Sequence, residues 1–421
     1  MFIELLSAFA TTAFTGINAV WAGSNVYNFY PLLKVRKLEK SEHVGVEEKP
    51  KVSVLLPAYR EEKVLLNTVK RIESNRYSNL ELILMTEKDD FKTDRMAEYL
   101  HRKYKNVIHV PVEDNGTARG KPRALNQGLS KATGEIIGVL DAEDYVSDDL
   151  FDTVASSIKG EGYDAVQGQL KLKSEKESWL DKQFRAEYDF FFSEYLPRLS
   201  KLDYILPFGG TTNFFRKELV DELGGWKEGN LTEDYELAVR ASMNSANTSK
   251  KYKIGMIDVV TTEQTTPNLK SWMKQRTRWQ QGKLQTTVEY SKRKYDPKSK
   301  AKMYMAGLGA FFGPINFTGI GMSALFYLDH LPVPQVIKPL AYFNLSSAAF
   351  YCYIQGRSYE KIAKKENRSH PYLKGFLIGV TTPVYWVLQW AASTRAVFRE
   401  LKNMKNWEKT EHTPIDYSKK N

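Results

Sequence analysis

Four long stretches without a charged residue limit what this chain can fold into. The first covers 29 positions, Leu5 to Leu33, and the others are Met303 to Leu328, Pro339 to Gly356 and Gly375 to Thr394. Because a helix of about 20 apolar residues spans a bilayer, each stretch is a candidate membrane segment. The sequence therefore predicts one polar domain held between membrane anchors.

The first stretch has an alternative interpretation as a cleaved signal peptide. A signal peptide has a basic start, whereas this segment begins with Glu4 and its positive charges follow, from Lys34 onward. We therefore expect a retained anchor, and the positive-inside rule then places the middle domain in the cytoplasm. The predicted location is the cell membrane, multi-pass, with a cytoplasmic catalytic domain and membrane lipids as partners.

The basic tail conflicts with three complete crossings after the middle domain. Residues 399–421 are rich in Lys and Arg, which the same rule places inside. One late stretch is then not a simple span. Gly375 to Thr394 is the best candidate, since Pro383 should interrupt its helix and allow a re-entrant path.

Composition excludes several classes of protein. The 421 residues are 42% hydrophobic, which is too apolar for a disordered chain, and the single Cys352 excludes an intrachain disulfide and a Cys-rich zinc site. The net charge of +11 is compatible with anionic partners in general. Because no stacking motif or recognition helix is present, we expect no nucleic-acid partner.

The middle of the chain alternates short β-branched runs with longer mixed segments. Strands are predicted at Val52 to Leu56, Leu80 to Met85, Val107 to Val110 and Glu135 to Leu140, and helices at Glu61 to Ser74, Lys92 to Tyr104 and Pro122 to Lys131. This alternation predicts an α/β domain with a mainly parallel sheet and helices on both faces. Ligands of such sheets bind beyond the carboxyl ends of the strands.

Acidic residues follow the strand that ends at Leu140. Asp141, Glu143 and Asp144 arrive at one point, which suits a hard divalent cation that shares oxygen ligands with a substrate diphosphate. The alternative is a solvated acidic turn. The position at the rim of the sheet favours a Mg²⁺ or Mn²⁺ site.

Two further motifs carry basic and aromatic residues. Lys121 and Arg123 lie where a helix begins, and cations beside free backbone N–H groups form an anion site. Gln275, Arg278 and Trp279 have helical spacing and share one face, on which a guanidinium and a ring could bind a phosphate and a sugar. The alternative for the second motif is an interfacial amphipathic helix, and both can hold on different faces.

These motifs, together with Thr-Glu-Asp at 232–234, resemble the membrane-bound family 2 glycosyltransferases of the cellulose, hyaluronan and poly-N-acetylglucosamine synthase type. The resemblance is dense from Lys51 to Tyr290. Its most specific part is Thr-Glu-Asp followed by Gln-x-x-Arg-Trp at 275–279. It implies a GT-A fold, a nucleotide-diphosphate sugar donor, a divalent metal and inversion at the anomeric carbon.

The resemblance also implies roles for single residues. Asp234 would be the general base, and Glu233 and Trp279 would contact the acceptor. The metal motif would be Asp141 with Glu143 or Asp144, because the common Asp-x-Asp form is Asp-Ala-Glu here. The donor, most often a uridine nucleotide, would be held by Pro57, Tyr59, Glu61, Glu87, Asp89, Lys121, Gln275 and Arg278.

The predicted function is transfer of a hexose from a UDP-sugar to the hydroxyl of a growing β-linked polysaccharide. The alternative is non-processive transfer to a lipid carrier or glycolipid, and the small number of candidate spans favours either that or a homo-oligomer. The predicted units are an N-terminal transmembrane helix (1–33), a basic linker (34–50), a cytoplasmic GT-A domain (51–267), an interface helix region (268–300), transmembrane or re-entrant segments (301–398) and a basic cytoplasmic tail (399–421).

Overall fold

The computed structural model describes residues 2–35, 48–174, 177–248, 250–266, 268–309 and 338–404. Its strands are β1 (Val52–Ala58), β2 (Leu80–Glu87), β3 (Val107–Val112), β4 (Ile136–Val139), β5 (Tyr145–Val146), β6 (Ala165–Lys173), β7 (Asn213–Arg216) and β8 (Ile254–Gln264). Its helices are α1 (Phe2–Lys34), α2 (Leu65–Glu73), α3 (Phe91–Lys103), α4 (Lys121–Leu129), α5 (Leu150–Ala155), α6 (Trp179–Phe190), α7 (Leu196–Leu199), α8 (Lys217–Leu223), α9 (Glu233–Asn247), α10 (Leu269–Ser291), α11 (Pro297–Leu308), α12 (Lys338–Lys365) and α13 (Pro371–Leu401). Single π-helical turns extend α5 and α6.

The eight strands form one sheet in the order β3-β2-β1-β4-β7-β6-β8-β5. Strand β1 shows why both faces are covered, since nearly all of it is buried. Val54 and Leu56 point into one hydrophobic cluster, whereas Leu55 points into the other. Because successive strand residues face opposite sides, a continuous apolar run requires helices on both faces.

The strands and helices predicted between Val52 and Lys131 are present, and among the described residues four of the seven strand pairs are parallel, while the other three make the sheet mixed. Parallel pairing joins β1 with β2 and β4, β2 with β3, and β6 with β8. Strand β7 runs antiparallel between β4 and β6, and β5 runs antiparallel to β8. The prediction missed this half of the sheet because no strand was recognised after Leu140.

The prediction of a multi-pass membrane protein with a cytoplasmic catalytic domain is wrong on the structural finding. Among the described residues, no helix combines the length and the apolar character needed to cross a bilayer. The uncharged stretches contain many amides and hydroxyls, and some are buried in polar contacts, such as Asn25 with Asn344 at 3.2 Å. An absence of charge was therefore misread as apolar character. The greater part of the stretch Met303 to Leu328 lies outside the described residues.

Helix α13 also differs from the expected re-entrant path. It runs without interruption from Pro371 to Leu401, with Pro383 inside it. Side-chain hydrogen bonds join α13 to α10, among them Tyr385 with Arg276 at 3.2 Å, Arg395 with Thr277 at 3.1 Å, and Arg399 with Gln281 at 3.0 Å. Packing against its neighbours therefore holds α13 as one helix.

Gly138 in β4 generates a prediction about the core. A Cβ added there would lie 2.4 Å from Cε1 of Phe214, which is fully buried in the adjacent strand. We expect Gly138→Ala to lower the free energy of unfolding by about 1–3 kcal/mol, the usual cost of overpacking. Urea denaturation followed by circular dichroism measures this change.

The matched control is Gly23→Ala in α1, where an added Cβ meets no atom within 4 Å. Alanine is about 1 kcal/mol better than glycine inside a helix, so this variant should be at least as stable as the parent chain. Equal stability of the Gly138 variant and the parent would contradict the packing of β4 on β7.

Candidate active site

A cavity of about 680 Å³ opens at the carboxyl ends of the central strands. The wall on the side of the sheet, here called the lower wall, comes from the ends of β1 and β2, the starts of α4 and α9, and the turn after β4. Its upper wall comes from helices, with Trp21 of α1, Tyr351 of α12 and Trp386 of α13. The cavity therefore joins the sheet to the helices that surround it.

Most of the site residues expected from the sequence line this one cavity. They are Pro57, Tyr59, Glu61, Glu87, Lys121, Asp141, Glu143, Glu233, Asp234, Gln275, Arg278 and Trp279. Asp89 and Asp144 are not among the lining residues. The structure thus brings together residues that are more than 200 positions apart in the chain.

Asp89 is held away from the cavity by an arginine that the sequence analysis missed. The Arg119 guanidinium donates to both carboxylate oxygens of Asp89, at 2.6 and 2.9 Å. The same guanidinium lies 4.4 Å from the centre of the Tyr59 ring. Arg119 lines the cavity and covers Tyr59, so Asp89 acts on the site through Arg119.

Of the three acids Glu87, Asp89 and Asp90, it is Glu87 that lines the cavity. It accepts from Arg123, with Nη2 at 3.0 and 3.3 Å from its two oxygens. Asp90 instead caps helix α3, accepting from the backbone N–H groups of Arg60 and Thr93. Glu87 is therefore the acid of these three that could contact a ligand in the cavity.

Lys121 connects three segments at the base of the cavity. Its ammonium donates to the Asp141 carboxylate and to the Gly210 carbonyl, the latter at 2.7 Å. Burial alone would lower the pKa of Lys121, but the carboxylates of Asp141, Glu233 and Asp234 raise it above its ordinary value. Lys121 is therefore a permanent positive charge at the strand ends.

Asp144 stabilises the turn after β4. One of its oxygens accepts from the backbone N–H of Asp141 at 2.7 Å and from the Thr211 hydroxyl. The side chain is buried, and burial together with the charges of Asp141 and Glu143 raises its pKa well above the usual range. Asp141 and Glu143 are thus the two acids of this turn that face the cavity.

Glu263 is a site residue that the sequence analysis did not identify. It is the next-to-last residue of β8 and lines the cavity. Its buried Oε1 has no hydrogen-bond partner among the described residues. Burial and the charges of Asp144, Asp141 and Glu143 raise its pKa well above the usual range. Recognising β8 as a strand would have pointed to this acid.

Glu233 and Asp234 begin helix α9 beside Lys121. The Asp234 carboxylate faces Gly210, where a Cβ would come within 3.4 Å and where φ is +83°. Burial raises the pKa of Asp234, while a backbone N–H of α9 and the cations of Lys121 and Arg278 oppose the rise. Burial and the charge of Asp234 also raise the pKa of Glu233, to about 7. A carboxylate in this setting can accept a proton near neutral pH.

Helix α10 forms the side wall of the cavity. The Trp279 ring lies nearly parallel to the Tyr188 ring, with centres 6.3 Å apart and 23° between the planes. The guanidinium of Arg276 lies 5.0 Å from the Trp279 ring centre, and its two ends bind both oxygens of Glu187. Arg278 donates to the Leu231 carbonyl at 3.3 Å. Trp279 is therefore held rigidly at the cavity surface.

The described residues contain no group of three His, Cys, Asp or Glu side chains placed to hold a metal ion by themselves. Asp141 and Glu143 are two carboxylates that line the cavity. Mg²⁺ in nucleotide sites is commonly held by one or two carboxylates plus substrate phosphates and waters. The donor set is thus compatible with a cation that arrives together with a diphosphate.

Comparison with known proteins defines the class. Residues 50–282, more than half of the chain, match the family model described as "Glycosyltransferase like family 2". The chain belongs to this family and is a glycosyltransferase. The resemblance recognised in the sequence is thereby confirmed at the level of the family.

Two curated relatives extend the comparison. The chain is 27% identical over 337 residues to the poly-beta-1,6-N-acetyl-D-glucosamine synthase of Staphylococcus epidermidis, covering 79% of this chain and 77% of the relative. It is 29% identical over 247 residues to the beta-monoglucosyldiacylglycerol synthase of a Nostoc species, covering 57% of this chain and 50% of that relative.

A solved structure supports the fold. The mannosyltransferase PcManGT from Pyrobaculum calidifontis, in complex with GDP-Man and Mn²⁺, is similar over 94% of this chain and 99% of its own, with a TM-score of 0.61 and 19% identity. This likeness shows a shared mixed α/β fold of the GT-A type.

Proposed function

We propose that this glycosyltransferase inverts the anomeric centre and moves a sugar from a UDP-sugar to the hydroxyl of a growing β-linked polysaccharide. The observation that carries the proposal is the position of Asp234, which lies in one cavity with the acids Asp141 and Glu143. The Lys121 ammonium lies among them, in contact with Asp141 and under the charge of Asp234. The group that we propose as base and the cation that we propose for the leaving group thus line the same cavity.

The side chains supply the parts that the reaction needs. Asp234 takes the proton of the acceptor hydroxyl while the oxygen of that hydroxyl bonds to the anomeric carbon. The bond from the anomeric carbon to the diphosphate breaks at the same time. Lys121 and Arg278 stabilise the negative charge that develops on the departing nucleoside diphosphate. Tyr59, Glu61 and Glu87 line the cavity beyond Lys121, where the nucleoside would bind.

Asp141 and Glu143 would hold a divalent cation. The cation would supply positive charge to the diphosphate oxygens, as Mn²⁺ or Mg²⁺ does in phosphate chemistry. The Mn²⁺ in the mannosyltransferase PcManGT supports this assignment. We do not propose Asp144 as a ligand of the cation, because its carboxylate accepts a hydrogen bond from the backbone N–H of Asp141.

The acceptor would lie against Trp279, between α10 and the upper helices. A flat aromatic face matches the C–H face of a pyranose ring, and Glu233 lies at the same wall as Asp234. The polysaccharide synthase among the relatives favours a glycan acceptor. The glucosyldiacylglycerol synthase favours the second candidate, single transfer to a lipid.

A product assay separates the two candidates. Purified protein is incubated with a panel of nucleotide sugars and Mn²⁺ or Mg²⁺, and nucleoside diphosphate release identifies the donor. With that donor labelled, we expect a high-mass ladder that a linkage-specific β-glycosidase degrades, and β-stereochemistry by NMR. If the reaction with diacylglycerol present gives only one short product that extracts into organic solvent, the function is instead single transfer of a sugar to a lipid. Release from no nucleotide sugar would refute the proposed donor class.

The base assignment predicts the behaviour of Asp234→Asn. An amide cannot accept the proton, so we expect the transfer rate to fall by about 10²- to 10⁴-fold while UDP affinity measured by calorimetry stays within a few-fold. Asp221→Asn, at a half-exposed surface position on α8, is the control and should keep full activity. Near-normal transfer by the Asp234 variant would show that another group is the base.

Metal removal gives a separate prediction. Chelation should abolish transfer, and added Mn²⁺ should restore it. Mn²⁺ titrations followed by electron paramagnetic resonance, in the presence of UDP, should show weaker binding for Asp141→Asn and Glu143→Gln. Asp144→Asn should bind Mn²⁺ nearly as the parent chain does, because its carboxylate faces the turn. Full activity in chelator, or a larger loss in the Asp144 variant than in the Glu143 variant, would contradict this arrangement.

A further inference from the structure

Five basic side chains line the cavity, and four of them have a partner that satisfies their charge or their N–H groups. Arg119 binds Asp89, Lys121 binds Asp141, Arg276 binds Glu187, and Arg278 donates to the Leu231 carbonyl. Lys283 also lines the cavity. Within the part of the chain that the structure describes, its ammonium has no ion pair and no hydrogen bond.

Lys283 lies one helical turn beyond Trp279 and two turns beyond Arg276 on α10, so the three side chains share one face of that helix. Its nearest aromatic contact is the Tyr235 ring, with a centre 5.8 Å from Nζ. Burial and the charge of Arg276 lower the pKa of Lys283, while Asp234 and Glu187 oppose this effect. The surroundings therefore leave the ammonium poorly compensated.

The neighbouring carboxylates do not serve as its partner. Glu187 already accepts from both ends of the Arg276 guanidinium and, at 2.6 Å, from the Tyr385 hydroxyl. Asp234 is close enough to act on Lys283 through its charge, yet no hydrogen bond joins the two side chains. An unpaired cation in a cavity is costly unless a ligand supplies the opposite charge.

The donor diphosphate is not the expected ligand of Lys283. Lys283 follows Trp279 by one turn of α10, whereas Lys121 begins α4 and donates to Asp141 and to the Gly210 carbonyl at the strand ends. Lys283 thus belongs to the side wall that α10 forms, next to Trp279. In the proposed function this wall receives the acceptor.

We propose that Lys283 binds an anionic group, a carboxylate or a phosphate, carried by the acceptor saccharide. The inference rests on the proposed function for the identity of the acceptor side. It adds to that function a preference for acidic glycans. Lys283 then discriminates acceptors by charge, and Trp279 beside it binds the sugar face.

The test compares one neutral ligand with two acidic ones. Methyl β-glucuronide carries a carboxylate where methyl β-glucoside carries a hydroxymethyl group, and glucose 6-phosphate carries a phosphate. Binding is measured by calorimetry on the parent chain with UDP and Mn²⁺ present, and acceptor KM and kcat are measured wherever transfer occurs. We expect the acidic ligands to bind at least about tenfold more tightly than methyl β-glucoside, about 1.4 kcal/mol.

Lys283→Met should remove this preference and leave methyl β-glucoside binding within about twofold, whereas Lys283→Arg should retain it in part. Lys270→Met is the matched control, since Lys270 is exposed at the start of the same helix and does not line the cavity. The rate of donor hydrolysis by water should be the same in the parent chain and in Lys270→Met. These binding measurements do not require transfer, so they report on Lys283 even if the proposed reaction fails.

Three outcomes would overturn the inference. An equal fall in binding of the acidic and neutral ligands in Lys283→Met would mean that the lysine only supports the wall. A fall in kcat for both ligands together with a shifted pH profile would mean that Lys283 acts on Asp234. Binding of octyl phosphate that depends on Lys283, with no such binding of methyl β-glucuronide, would assign the anion to a lipid phosphate and not to a saccharide.

Discussion

The contacts of the Lys121 ammonium with Asp141 and with the Gly210 carbonyl bring three segments of the chain to one point. The lysine begins α4, Asp141 follows β4, and Gly210 precedes β7. Around this point lie several carboxylates whose mutual repulsion would oppose their burial. A fixed cation reduces that repulsion and holds the strand ends, the turn and the start of α9 in one arrangement.

Helix α10 forms the side wall of the cavity, beyond the edge of the sheet. Arg276 lies between the Trp272, Trp279 and Phe184 rings and is bound by Glu187 and Tyr385. Tyr385 belongs to α13, which lies beyond the part of the chain that matches the family. The cavity wall is therefore completed by helices outside the family region.

Much of the lower part of the site was predictable because it depends on local patterns. Short apolar runs ending in Pro57, Glu87 and Asp141 identify parallel strands, and the carboxyl ends of such strands meet at one edge. Helical spacing placed Gln275, Arg278 and Trp279 on one face. The mixed half of the sheet was missed because β7 and β8 follow long irregular or helical segments, and Glu263 was missed with it. The spanning helices were wrongly predicted because uncharged stretches rich in Asn, Thr, Ser and Gln were counted as apolar.

The sequence by itself determined the family, the order of the motifs and the residue types available for the chemistry, since these depend on spacing along the chain. Only the tertiary structure decided which side chains face the cavity. Glu143 and Asp144 are neighbours in one turn, yet Asp144 is turned inward by the Thr211 hydroxyl, 67 positions away. Lys283 and Arg276 lie on one helix, yet only Arg276 meets Glu187 of α6. Such choices depend on partners from distant segments, because the orientation of a polar side chain is set by the hydrogen-bond and charge partners that other parts of the fold bring to it.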